Sequence, residues 1–102
     1  MGKQIKVASL RDIPPGTAKA CDLEGQVIAV FNVDGTFYAI DDECPHAGAS
    51  LATGFVQGHK VGCPWHGADF DLCTGAVLSS PARGNVCSYR VVVSGDDVKI
   101  EI

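Results

Sequence analysis

The stretches Cys44-Pro45-His46 and Cys63-Pro64-Trp65-His66 constrain this chain more than any other part of it. Each supplies one thiol and one imidazole, and 16 residues, 47–62, lie between the first His and the second Cys. With five Cys and three His in 102 residues, such a set at acceptable spacings arises by chance with a probability on the order of 10⁻³. Two soft thiolates with two imidazoles suit Zn²⁺ or an iron–sulfur centre, and suit neither Mg²⁺ nor Ca²⁺.

Zinc sites usually draw on C-x₂₋₄-C knuckles and H-x₃₋₅-H pairs, so that like ligands share a turn. Here each loop carries one ligand of each kind. That arrangement resembles the Rieske [2Fe–2S] family, whose C-x-H, spacer of about this length and C-x-x-H are met by Cys44, His46, Cys63 and His66. The resemblance extends to Pro45, Gly48, Pro64, Trp65 and Gly67 and to the run 66–75. It implies one [2Fe–2S] cluster, with the two Cys on one iron and the two His on the other. Sulfur would lie on the buried side and imidazole on the outward side of two folded-back hairpins. A structural zinc module is the competing reading, separable by metal content and colour.

A chain of 102 residues has room for one modest core and no second catalytic unit. A net charge of −4 argues against nucleic acid as a partner, since binding it needs a basic face. The N-terminus lacks the apolar stretch of a leader and no apolar run is long enough to span a membrane, so a cytoplasmic setting is expected. Cys21, Cys73 and Cys87, left over from the motif, read as small buried apolar residues.

Along the chain, residues 5–10 read as a strand, and Pro14-Pro15-Gly16 marks a loop. Residues 21–26 read as a turn before the apolar run 27–31, which should be buried on both faces. Asp34-Gly35, between residues 31–33 and 36–40, is a hairpin signal, because Gly accepts the positive φ of a tight turn. Gly and Pro are dense from 41 to 81, with short apolar runs at 54–56 and 60–62 and a helical turn expected within 47–53. Strand signals return at 86–93 and, after a turn at 94–97, at 98–102, where Val98, Ile100 and Ile102 should face a core and Lys99 and Glu101 water. The fold class is therefore all-β, an antiparallel β-sandwich or partly open barrel carrying an inserted loop-rich subdomain. We expect one domain over 1–102, with a base of 1–41 and 82–102 and a cluster-binding subdomain of about 42–81.

The resemblance implies further roles. High-potential members of the family carry a disulfide between the two loops, and this chain has Ala49 and Trp65 at the matching positions. They also carry a Ser and a Tyr that donate hydrogen bonds at the cluster, where this chain has Ala68 and Phe70. With those donors missing and with Asp41, Asp42 and Glu43 just before the first ligand, the potential should lie near the bottom of the family's range of roughly −150 to +300 mV. Gly48 and Gly67 would allow close backbone approach to the cluster, Trp65 would shield it or touch a partner, with ordinary packing as the equal alternative, and Pro81 would close over it. His59 reads as a solvated loop residue. The acidic triplet is an exposed strand end with a docking role as its alternative.

In function the chain is similar to the ferredoxin components of bacterial aromatic-ring-hydroxylating dioxygenase systems. There an NAD(P)H-dependent flavin reductase supplies the electron and a terminal oxygenase receives it. The chain would be a carrier and not an enzyme, since O₂ activation needs an open mononuclear iron, commonly held by two His and a carboxylate. The small subunit of an assimilatory nitrite reductase is the alternative of another class.

Overall fold

In chain order the strands are β1 (Gln4–Ser9), β2 (Ala18–Leu23), β3 (Gln26–Val33), β4 (Thr36–Asp41), β5 (Phe55–Gln57), β6 (Lys60–Gly62), β7 (Asp69–Asp71), β8 (Ser88–Ser94) and β9 (Asp97–Glu101). They come from a computed structural model that describes residues 3–45, 48–65, 68–78 and 84–102. Six of them form one sheet in the order β1-β9-β8-β4-β3-β2, and three short ones form a second, β5-β6-β7. Every pairing is antiparallel. The edges β1 and β2 come into contact, so the large sheet curls most of the way to a barrel.

Alternation along β3 divides the interior in two, because successive side chains of a strand point to opposite faces. Ile28 and Val30 pack with Ile13, Ala39, Val98 and Ile100 within the curl of the large sheet. Ala29 and Phe31 point the other way and share a second core with Cys44, Leu51, Cys63 and Phe70. The run expected to be buried on both faces is so buried from Ile28 to Phe31, whereas Val27, at the strand's start, is 48% exposed.

The Asp34-Gly35 turn forms as expected, with φ of 52° and 92°, the left-handed pair that a two-residue hairpin requires. Glu24-Gly25 makes an equivalent turn, with φ of 51° and 91°. The expected turn at 21–26 is therefore only its last part. Cys21 and Leu23 are buried and Asp22 is exposed, so the chain is still alternating as strand β2 up to Leu23.

Single 3-10 turns occupy Leu10–Asp12 and Leu51–Thr53, the second inside the segment where a helical turn was expected. Strand β7 was not anticipated, and β8 begins at Ser88 rather than at Val86. In β9, Val98 and Ile100 are fully buried, but Ile102 is 42% exposed. It pairs with Lys3 through two backbone hydrogen bonds past the end of the core, so its inward placement is corrected. Cys21 is buried as expected, whereas Cys73 and Cys87 are exposed, and none of the five cysteines is disulfide-bonded. Among the described residues, no helix is long and apolar enough to cross a membrane.

Candidate metal centre

Both motifs sit on hairpins closed in the same way. The first leaves the large sheet after β4. Glu43 bridges Ser50, the Cys44 N–H donates to Ala49 O at 2.9 Å, and the Gly48 N–H donates to Cys44 O at 2.7 Å. The second continues the β6–β7 ladder past the Gly62–Asp69 pair, with the Cys63 N–H donating to Ala68 O at 2.7 Å. In each hairpin the Cys amide thus meets the carbonyl of the alanine five residues on, and the His of the motif lies between the two in sequence.

The two cysteines converge on one apolar interior. Cys44 and Cys63 are each 1% exposed, and Ala49, Ala68 and Phe70 are buried beside them in the core shared with Ala29 and Phe31 of β3. Two buried cysteines on separate hairpins, joined by no disulfide, fit a shared soft-metal group, because the thiolate is the ligand form and a metal offsets the cost of burying its charge. His46, His66, Gly67 and Pro81 lie outside the described residues. Among the described residues, no three His, Cys, Asp or Glu come together as a metal site.

The approaches to the hairpins are fixed by side chains that the sequence placed elsewhere. Asp42, only 8% exposed, accepts hydrogen bonds at Oδ1 from Ser50 Oγ (2.8 Å) and the Ala52 N–H (3.0 Å). It ties the start of the first hairpin to the 3-10 turn after it. The Asp41 carboxylate is likewise engaged, by Tyr89, Gln26 and the Cys87 amide. The triplet is thus not an exposed strand end. Only Glu43 is exposed, beside a groove of about 660 Å³ that also borders Gln26, Val27, Pro45 and Gly48.

Gly48 adopts a φ of 74° at the first hairpin, a left-handed conformation that glycine tolerates. Gly75 has a φ of 78°, and a methyl group there would overlap the Val86 carbonyl oxygen; the Val86 N–H donates to Gly75 O at 2.9 Å. Trp65 is 64% exposed, so it is not a core residue. His59 is exposed, yet its ring centroid lies 5.6 Å from that of Tyr38, and its carbonyl accepts the Leu72 N–H at 2.8 Å. It helps to fasten the small sheet to β4. Burial pushes the Tyr38 phenol up, with the Cys73 thiol next in effect. The Asp41 and Tyr89 contacts, like that of His59, join residues far apart in sequence, and no spacing rule could have found them.

A fold of this kind with paired Cys/His hairpins defines a class, and the class is matched directly. Residues 3–90 match the Rieske [2Fe–2S] domain model, and the chain belongs to that family. Its cofactor is a Rieske-type [2Fe–2S] cluster, and it is an electron-transfer protein rather than a catalytic oxygenase. The chain is 36% identical over 100 residues to the ferredoxin component of the naphthalene 1,2-dioxygenase system of Pseudomonas aeruginosa, covering 98% of this chain and 96% of that one. It is 41% identical over 100 residues to the 3-phenylpropionate/cinnamic acid dioxygenase ferredoxin subunit of Escherichia coli K12, covering 97% and 93%. A chain in the solved complex of reduced oxygenase and oxidized ferredoxin of carbazole 1,9a-dioxygenase superposes with a TM-score of 0.87 at 35% identity, covering 96% of this chain and 92% of that one.

Proposed function

We propose that this chain carries single electrons from an NAD(P)H-dependent flavin reductase to a terminal oxygenase acting on an aromatic substrate, in the cytoplasm. Cys44 and Cys63 would hold one iron of the cluster, and His46 and His66 the other. The observation that carries this reading is the repeated hairpin: two cysteines, each 1% exposed, delivered by the same closure into one core. The solved oxygenase–ferredoxin complex of carbazole 1,9a-dioxygenase supports an oxygenase as acceptor. The naphthalene and phenylpropionate systems of the relatives support an aromatic substrate for that acceptor. Both relatives are ferredoxin components, which favours a carrier over a nitrite reductase subunit.

When bound, the cluster accepts and releases one electron. The chain supplies the rest. Buried Cys44 and Cys63 keep the sulfur side away from water, and the imidazoles of His46 and His66 would offer the side from which a partner approaches. Ala68 and Phe70, both fully buried, offer a methyl group and a phenyl ring where a hydroxyl would stabilise the reduced state, and this supports a low potential. Residues 1–41 and 82–102 form the base, and about 42–81 the cluster-binding subdomain.

The test is EPR of the dithionite-reduced protein together with iron and sulfide analysis. We expect an average g value below that of an all-Cys cluster, with two irons and two sulfides per chain. A colourless protein carrying one zinc, or protein from iron-replete, oxygen-limited growth that lacks acid-labile sulfide, would overturn the assignment.

A further inference from the structure

The chain leaves the large sheet at Asp41, and a side chain takes over from the backbone there. Up to Ile40, β4 pairs with β8 through the rungs Ala39–Tyr89 and Ile40–Ser88. One residue further the Asp41 N–H still donates to Cys87 O at 3.0 Å. The return bond, from the Cys87 N–H, goes at 2.9 Å to the Asp41 carboxylate Oδ2. A regular ladder would send it to the Asp41 carbonyl. With the carboxylate in the carbonyl's place, the main chain can turn out of the sheet while the rung stays closed.

The other carboxylate oxygen gathers the neighbouring strands. Oδ1 accepts the Tyr89 hydroxyl at 2.6 Å and Gln26 Nε2–H at 2.8 Å, and Gln26 Nε2 also donates to the Tyr89 hydroxyl oxygen at 2.8 Å. Burial, then the hydrogen bond to Asp41, push the Tyr89 phenol far above its usual value, so it stays a donor. Bonds to an ionised acceptor are the strong ones. One carboxylate therefore joins the start of β3, the end of β4, β8 and the segment that follows residues 79–83. Immediately after it, the Asp42 N–H donates to Val27 O at 3.3 Å and Asp42 O accepts the Leu51 N–H at 2.7 Å, so the first hairpin springs from this knot.

We propose that Asp41 is a positioning residue for the cluster, its carboxylate fixing the direction in which the Cys44 hairpin leaves the sheet relative to the strand returning at Cys87. The inference rests on the cluster assignment made above. Holding that direction holds the Cys44 sulfur, and the g values and potential of the centre then report on the knot.

The experiment compares the holoprotein with Tyr89→Phe, Asp41→Asn, Gln26→Ala and Cys87→Ala, by EPR, redox titration and amide exchange over residues 42–51. Tyr89→Phe keeps every charge, so a shift or broadening of its g values reports position alone. Asp41→Asn also puts a donor or a weaker acceptor opposite the Cys87 N–H. Exchange at the Gly48 amide should then be about tenfold faster, the effect of losing roughly 1.4 kcal/mol of hydrogen bonding, and the potential should rise with the lost charge. Gln26→Ala gives a milder version of the same change if the stronger variants lose the cluster. Cys87→Ala retains its N–H and should match the parent. Parental g values and parental exchange over 42–51 in Tyr89→Phe, Asp41→Asn and Gln26→Ala, even with a lowered Tm, would reduce the knot to an ordinary stabilising contact and overturn the proposal. A parent without a Rieske signal would instead sink the functional assignment itself.

Discussion

The two sheets are built on opposite principles. The large sheet has strands of five to eight residues and an apolar interior of its own, from Ala8 and Ile13 to Val98 and Ile100. The small sheet has three strands of three residues, and every residue of β5 is exposed, Phe55 at 72%. Its buried apolar side chains, Val61 and Phe70, pack with Leu72, just past β7, in the core shared with the outer face of β3. A three-residue hairpin is too short to be stable alone. The large sheet can therefore hold itself, while the small sheet and its hairpins lean on the large one and, on the proposed ligand assignment, on the cluster. Ligand binding that requires a folded site adds its free energy to folding that site.

The strongest way to break this contrast is to remove the metal. Chelation should abolish amide protection over residues 44–70 and leave that of β1, β3, β8 and β9 close to the holo level. Hydrogen exchange with residue resolution is the measurement, and equal protection of the hairpins in apo and holo forms would show that they need no cluster.

Paired truncations sharpen the same comparison. Phe70→Ala and Ile100→Ala both empty fully buried positions, at a cost of about 3–5 and about 2–5 kcal/mol respectively. Denaturant unfolding should find both losses, but only Phe70→Ala should speed the decay of cluster absorbance, since Ile100 belongs to the other core. Smaller still is Asp42→Ala, which leaves the Ala52 N–H and Ser50 Oγ without their acceptor. It should cost about 1–3 kcal/mol and release the first hairpin selectively. An effect of Asp42→Ala on β8 and β9 exchange equal to that on 44–51 would contradict the division.

The large sheet was readable because its signals are local. Alternation in β9 and Asp34-Gly35 between apolar runs each report a conformation settled within a few residues. The motif Cys44, His46, Cys63 and His66 speaks for a different reason, since ligand type and spacing reflect coordination chemistry, and its role as the ligand set is part of the proposal. What escaped depends on distant partners. β7 is three residues, Asp69–Asp71, two of them acidic, held as a strand by pairing with Lys60–Gly62. Asp41 and Asp42 look like surface charge until residues 26, 50, 52, 87 and 89 fold around them. Free cysteine is usually buried, which is the expectation for Cys73 and Cys87, yet both are exposed on connecting segments outside the cores.

The smallest expected effect lies in the large sheet and tests whether its end acts independently of the metal. The Asp12 carboxylate accepts the Ser9 N–H at 3.0 Å and closes the 3-10 turn after β1. That hydrogen bond outweighs the opposing effect of burial and, with the nearby cations Lys19, Arg11 and Lys6, holds the carboxyl below its usual value of 3.8. A carboxyl lowered in the folded state contributes stability that is present above its unfolded value and is lost as pH falls through the folded one. Acid unfolding should therefore carry a small contribution from Asp12 below about pH 4. Asp12→Asn should flatten that limb of the curve while stability at neutral pH falls slightly, because the amide accepts a weaker hydrogen bond. Fluorescence or far-UV dichroism against pH measures the first change. Absorbance of the cluster, followed in the same samples, should be the same in parent and variant at every pH where the protein remains folded. A variant that bleaches earlier than the parent would mean that the far end of the large sheet does communicate with the hairpins, and the independence of the two sheets would have to be given up.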